Sequence, residues 1–138
     1  MKRRELIAST FFMGAIFRPL LEAQDNLDPL KIMPDTHKLL FENQFVRVIE
    51  SKVPAGGREP KHSHPHCVTV YLAEIDAEIT TFPDHETSHV HRTAGTAGWS
   101  EATVHEVRNV GNTASHNIRN RTKALKANQS SGTTQASG

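Results

Sequence analysis

The stretch Pro54-Ala55-Gly56-Gly57-Arg58-Glu59-Pro60-Lys61-His62-Ser63-His64-Pro65-His66-Cys67-Val68-Thr69-Val70-Tyr71-Leu72 decides how the rest of the chain is read. It opens on a Pro/Gly turn, runs through a histidine-rich extended segment, breaks at Pro65, and continues as a run of β-branched and aromatic residues. Proline and glycine punctuate local structure, whereas Val, Thr and Tyr suit a pleated, half-buried surface. The reading is two short strands joined by a tight connection.

The same grammar extends in both directions. Asn43, Pro83-Asp84, Gly95, Gly98 and Gly111-Asn112 break the chain at short, regular intervals. Between the breakers lie β-rich segments at 38–41, 45–49, 67–72, 77–82, 88–90, 103–107 and 115–118. No window keeps a helical period for three turns. Short strands at this spacing predict an all-β sandwich or small barrel over residues 36–118. Residues 24–35, with Pro29 and Pro34, read as an extended lead-in.

The chain has 138 residues, enough for one domain with one core. A single cysteine, Cys67, excludes an internal disulfide framework. No apolar run approaches the roughly 18 residues that a stable membrane span needs, and a formal charge of +1 argues against a nucleic-acid partner. That average hides a segregation. Residues 24–118 carry 8 bases and 13 acids, so the body is acidic and the basic character sits at the ends.

Residues 1–23 combine a positive start, Met1-Lys2-Arg3-Arg4, with an apolar run at 6–17 and a small residue at Ala23. This is the pattern of an export signal, too short to span a membrane. The Arg3-Arg4 pair is compatible with a twin-arginine route, and general secretion is the alternative. The expected location is periplasmic or extracellular, or cytoplasmic should the segment be an ordinary N-terminal helix. Residues 119–138 are almost free of large apolar side chains, which predicts a disordered polar tail.

Nine histidines against one Trp and one Tyr point to a metal or pH-responsive site. His62 and His64, two residues apart on a strand, face the same way. His66 continues the phase past Pro65, and His105 lies on a later strand. Three neutral imidazoles converging inside a barrel would hold a divalent transition metal such as Zn, Fe, Mn, Ni or Cu, with open positions for a substrate. The alternative is a histidine-lined pocket that holds an organic acid without metal. His89 and His91 read as an exposed strand face. His37, His85 and His116 read as surface residues, and Cys67 as pointing away from the histidines.

These residues resemble the cupin family. Gly56, five residues and His62-Ser63-His64 match the opening of the first cupin motif. His105-Glu106-Val107-Arg108-Asn109 matches the core of the second, and the flanking Phe41–Val48 region is similar to the first strands of small single-domain cupins. The resemblance implies a jelly-roll β-barrel (a double-stranded β-helix), often a homodimer, with a metal at its centre and His105 opposing His62 and His64 from the partner sheet. It implies dioxygenase- or isomerase-type chemistry on a small organic substrate; the alternative is a non-catalytic module for a small ligand or metal. The family's glutamate ligand falls at Val68 or Thr69, with Val68 the better match, and Ser100-Glu101-Ala102 replaces a Pro-x-Gly turn. His66 is the candidate to replace the glutamate. Val68, Tyr71, Trp99 and Glu101 are the expected pocket residues, and metal binding is expected to weaken below about pH 6 as histidines protonate.

The export reading predicts that protein recovered from outside the cytoplasm of a bacterial host starts near residue 24. N-terminal sequencing checks it; an intact Met1 in an abundant cytosolic pool contradicts it.

Overall fold

Turn residues and β-branched runs produce nine strands in the computed structural model, which describes residues 26–123. A helical turn, α1 (Pro29–Ile32), precedes β1 (His37–Glu42), β2 (Val46–Val53), β3 (Arg58–His64), β4 (Cys67–Tyr71), β5 (Ile75–Thr81), β6 (Thr87–Arg92), β7 (Ala97–Ser100), β8 (Thr103–Asn109) and β9 (Ser115–Thr122). The strands form two antiparallel sheets, ordered β1-β2-β9-β4-β7 and β3-β8-β5-β6. This is the all-β architecture that the strand spacing predicts, in the jelly-roll form that the resemblance implies. The segment read as an export signal lies outside the described residues, as does the chain after Lys123.

Two boundaries differ from the sequence reading. The lead-in is not wholly extended. Asp28 caps α1, accepting from Leu30 N–H at 3.0 Å, with Pro29 at the start where its missing N–H costs nothing. Asp28 also pairs with Arg47 at 2.7 Å, tying the lead-in to β2. The Leu27 carbonyl accepts from Ser63 N–H at 2.9 Å. Because β3 is an edge strand, this contact covers its free edge between His62 and His64. At the other end, residues 119–122 belong to β9, not to a tail. β9 is a central strand paired with β2 through Val46↔Thr122 and with β4 through Cys67↔Arg121. Its polar residues are held by ladder hydrogen bonds on both sides, which the composition of a single strand does not reveal.

The interior is unusually polar. Among the described residues seven apolar side chains are buried (Pro29, Met33, Ile49, Val53, Cys67, Ile75 and Ala77) against eleven polar or charged ones. An interior of that kind is a site as much as a core, because each buried polar group needs a partner.

Asn109, the last residue of the second motif, supplies several such partnerships. Its side-chain N–H groups donate to the carbonyls of Val53 at 3.1 Å, Pro54 at 3.2 Å and Thr113 at 2.9 Å, and its Oδ1 accepts from Gly111 N–H at 3.0 Å. It therefore clamps the β2–β3 turn to the β8–β9 turn. Gly56 occupies that first turn at φ 73°, in the left-handed region open to glycine. A Cβ on Gly57 would lie 2.8 Å from the Pro54 carbonyl oxygen. Replacing Asn109 by Ala removes all four hydrogen bonds, although Pro54, Val53 and Gly111 keep partners in Gly57, Ser115 and Asp76, and should cost about 1–3 kcal/mol, read as a lower urea midpoint. A midpoint unchanged from wild type would refute the clamp.

Candidate metal centre

The three motif histidines meet on the inner surface of one sheet. β3 and β8 are hydrogen-bonded neighbours, and His62 pairs directly with His105. His105 therefore approaches from the adjacent strand of the same sheet, not from the opposing sheet as expected. All three rings are buried, His62 fully. His62 Nε2 lies 2.9 Å from His64 Nε2 and 3.1 Å from His105 Nε2.

Proton placement makes this arrangement chemically specific. His62 Nδ1 is 2.7 Å from the Pro60 carbonyl, which can only accept, so Nδ1 carries the proton and Nε2 is a bare lone pair. Arg119 donates from Nη1 to His64 Nε2; a guanidinium only donates, so that nitrogen is a lone pair as well. His64 Nδ1 is buried with no partner. Both ε-nitrogens are thus proton-free acceptors 2.9 Å apart; the Arg119 guanidinium meets the His64 lone pair, and a metal that took its place would find two imidazole donors ready to bind. Nitrogens bound at about 2.0–2.1 Å around a zinc-type ion stand about 2.9–3.4 Å apart, which the observed separations match. The donor set fits a divalent transition metal.

Electrostatics favour the ligand-ready state. Burial, and secondarily the Arg119 charge, hold His64 well below the usual histidine range. Burial and the neighbouring His62 push His105 down to about 3. His62 is lowered chiefly by burial, against an upward pull from Glu59. Burial thus favours the neutral rings that coordination requires, so protonation would displace a metal only below the expected pH 6.

The remaining expectations divide according to strand phase. The chain turns at Pro65-His66, and β4 restarts the alternation at Cys67. Cys67, Thr69 and Tyr71 line the cavity between the sheets, whereas Val68 and Val70 face outward. Thr69, not Val68, therefore stands where the family places its glutamate, and Cys67 points in, not away. His66 leaves the site altogether. It is exposed, 2.8 Å from Glu101, and stacked on Trp99 at 5.8 Å. Trp99 is exposed and donates to Glu101 at 2.8 Å. His66, Trp99 and Glu101 thus form a surface cluster outside the cavity. His89 and His91 are exposed, pairing with Asp76 at 2.7 Å and Glu74 at 3.4 Å. His85 is exposed as expected and takes φ 57° in its turn, while half-buried His116 pairs with Glu50 at 2.8 Å.

Two groups that line the cavity, one buried and one half-buried, were missed from sequence. Glu59 is 4% exposed, lines the cavity, accepts from Ser51 at 3.2 Å and lies 3.3 Å from His37 Nε2. Simple alternation from His62 turns Glu59 outward, but a bulge between Glu59 and His62 shifts the phase by one residue. The adjacent Pro60, which cannot donate to a ladder, was the available signal. His37 was read as a surface residue and is 2% exposed. Burial pushes it down to about 4, against the pull of the Glu59 carboxylate. The second missed group is Arg119, which had been assigned to the tail.

The cavity has a volume of about 170 Å³, with apolar walls that include Val53, Ile75, Ala77, Ile79 and Val107, and polar groups Glu59, Thr69, Asn117 and Arg119. A more open groove of about 550 Å³ lies beside it, lined by Asp28, Arg47, Phe82 and Arg121. His64 and Thr103 line both, so the histidine cluster stands between groove and cavity.

No protein-family model and no curated protein matches the sequence. Solved structures do match. A cupin domain from Bordetella pertussis Tohama I superposes with a TM-score of 0.59 at 24% identity, covering 64% of this chain and 92% of that one. An RmlC-like cupin family protein with a double-stranded β-helix fold from Methanocaldococcus jannaschii superposes with a TM-score of 0.50 at 15% identity, covering 62% of this chain and 77% of that one. The fold is that of a small cupin domain, and within it three buried histidines are placed so that they could hold a metal ion.

The buried neutral histidines carry a pH prediction. His37 and His105 bind protons more weakly folded than unfolded, where 6.5 is the reference. The unfolded chain therefore takes up more protons below that value, and stability falls as pH drops from about 6.5 towards 4 and below. For His37 alone the loss between pH 7 and pH 5 is about 2 kcal/mol. Urea denaturation of metal-free protein at both pH values should show the drop, and His37→Gln should make it smaller; equal pH slopes for the two proteins contradict the assignment.

Proposed function

We propose that the protein is an exported, homodimeric cupin that binds a divalent transition metal through His62, His64 and His105 and acts on a small organic molecule entering from the groove. The observation that carries the reading is the buried cluster of three histidines, with His62 Nε2 standing 2.9 Å from His64 Nε2 and 3.1 Å from His105 Nε2. A metal bound there supplies Lewis-acid polarisation or an oxygen-binding centre, the requirement for dioxygenase- or isomerase-type chemistry. The chain supplies the rest. Pro60 orients His62 through its Nδ1 proton, the apolar walls exclude water, and Glu59 places a buried carboxylate on the cavity to accept or hold a proton.

A second reading, a metal-free binding module, draws support from Arg119, which occupies the His64 lone pair a metal would need. Thr69 in the glutamate position also removes an anionic ligand and favours imidazole-loving ions such as zinc, copper or nickel over manganese.

The homodimer draws support from the outer face of the five-stranded sheet. Cross-strand pairing lines up Trp99, Val68, Asn120, Val48 and Phe41, apolar but for Asn120, with Val70 and Ile118 in the next row. Trp99, Val68, Val70 and Phe41 are exposed. An apolar patch of this kind marks an interface, and a second copy offering the same face covers it.

Metal analysis of protein purified without a histidine tag tests the reading. Wild type should hold about one ion per chain, and His105→Ala should lose it for every metal; unchanged stoichiometry in His105→Ala favours the metal-free module. Thr69→Glu should tighten manganese binding about tenfold or more, equivalent to about 1.4 kcal/mol. Val68→Glu, on the outer face, should leave manganese affinity unchanged and convert a dimer to monomer in light scattering. The opposite pattern would place Val68 inside and overturn the strand phase.

A further inference from the structure

Among the described residues, two arginines on β9 have no carboxylate in contact, although Asp28 acts on Arg121 at longer range. Arg119 and Arg121 are two residues apart and share the inward face of the strand. Arg119 lines the inner cavity and Arg121 the outer groove, with His64 lining both. Among the described residues, neither guanidinium has a carboxylate within ion-pair distance. Arg121 Nη1 is buried with no hydrogen-bond partner. Arg47, in the same groove, shows the ordinary solution: it is paired with Asp28. Removing a cation from water without a partner is costly.

The cavity around Arg119 is built for a ligand. Asn117, 6% exposed on the same face of β9, lines it with a buried Oδ1 that has no partner. Thr69, 2% exposed, faces it with a hydroxyl whose only contact is a long one, 3.9 Å, to the Cys67 sulfur. The Glu59 carboxylate turns to Ser51 and His37 and does not neutralise Arg119. Filling the triad with a divalent ion adds two more positive charges and no negative one, because imidazole ligands are neutral. Opposite the polar groups the wall is apolar, and about 170 Å³ is roughly five or six water volumes.

We infer that the ligand of this site is a small carboxylic acid anion with a short apolar body, its carboxylate bound by Arg119 beside the histidine cluster and its entry steered by Arg121. The carboxylate supplies the negative charge that Thr69 does not. It also draws the guanidinium from His64 Nε2, so acid and metal bind with positive coupling. Arg119 suits the task because its planar donor fork matches a carboxylate. The inference rests on the metal-centre reading for the second cation it neutralises.

Isothermal titration of zinc-loaded protein with isovalerate and benzoate tests it, with isovaleramide and benzamide as uncharged controls of the same shape. At least one acid should bind about tenfold or more tightly than its amide. Arg119→Gln should abolish that preference while keeping one zinc per chain and the wild-type unfolding midpoint, and Arg119→Lys should restore part of it. Acid and amide binding equally, neither acid binding, or a preference that survives in Arg119→Gln would each overturn the inference. The same titration on chelator-treated protein separates the two readings. Arg119-dependent acid binding with no zinc uptake contradicts the metal centre alone, whereas zinc uptake without acid preference contradicts the anion site alone.

Discussion

Imidazoles buried side by side must be neutral and have their nitrogens partnered, and the geometry around His62 and His64 depends on that constraint. The Pro60 carbonyl accepts from His62 Nδ1–H, Arg119 donates to His64 Nε2, and the two ε-nitrogens stand 2.9 Å apart. Much of the barrel serves to hold them there. The bulge in β3 turns both Glu59 and the histidines inward, Leu27 pins Ser63 between the two rings, and direct pairing of His62 with His105 brings the third ring. Asn109, four residues beyond His105, locks the turn from which β3 departs. The second motif thus works at both ends, with a ligand at one and a clamp at the other.

A site of this kind changes how the domain is stabilised. Buried polar side chains outnumber buried apolar ones, so hydrogen bonding and neutral protonation states carry weight that a larger apolar core would otherwise take. The exposed apolar residues on the five-stranded sheet are the complement. Hydrophobic surface that a small barrel with a polar interior does not bury internally stays exposed on that sheet.

The fold and the triad were legible because they rest on local signals: turn residues at short intervals, β-branched runs, and histidines two apart after a glycine turn. What was not legible came from phase and partnership. Val68 was given the inward position because counting along the chain does not register the restart of β4 after Pro65-His66; Thr69 holds it. Glu59 was overlooked because a bulge, which adds one residue on one strand only, reverses the parity that alternation predicts. His105 was placed on the wrong sheet because strand order is a tertiary property. Arg119 looked like part of a polar tail because a central strand made of Asn, Arg and Thr gains its order from its neighbours on both sides, not from its own composition.

The central claim is that His62, His64 and His105 bind one metal ion together. X-ray absorption at the zinc edge of tag-free, zinc-loaded protein tests it directly, since imidazole rings give a scattering pattern that water and carboxylate do not. The account predicts three imidazole nitrogens at about 2.0–2.1 Å, completed by light oxygen or nitrogen atoms. A first shell of oxygen alone, or a spectrum unchanged when His105 is replaced by Ala, would contradict it.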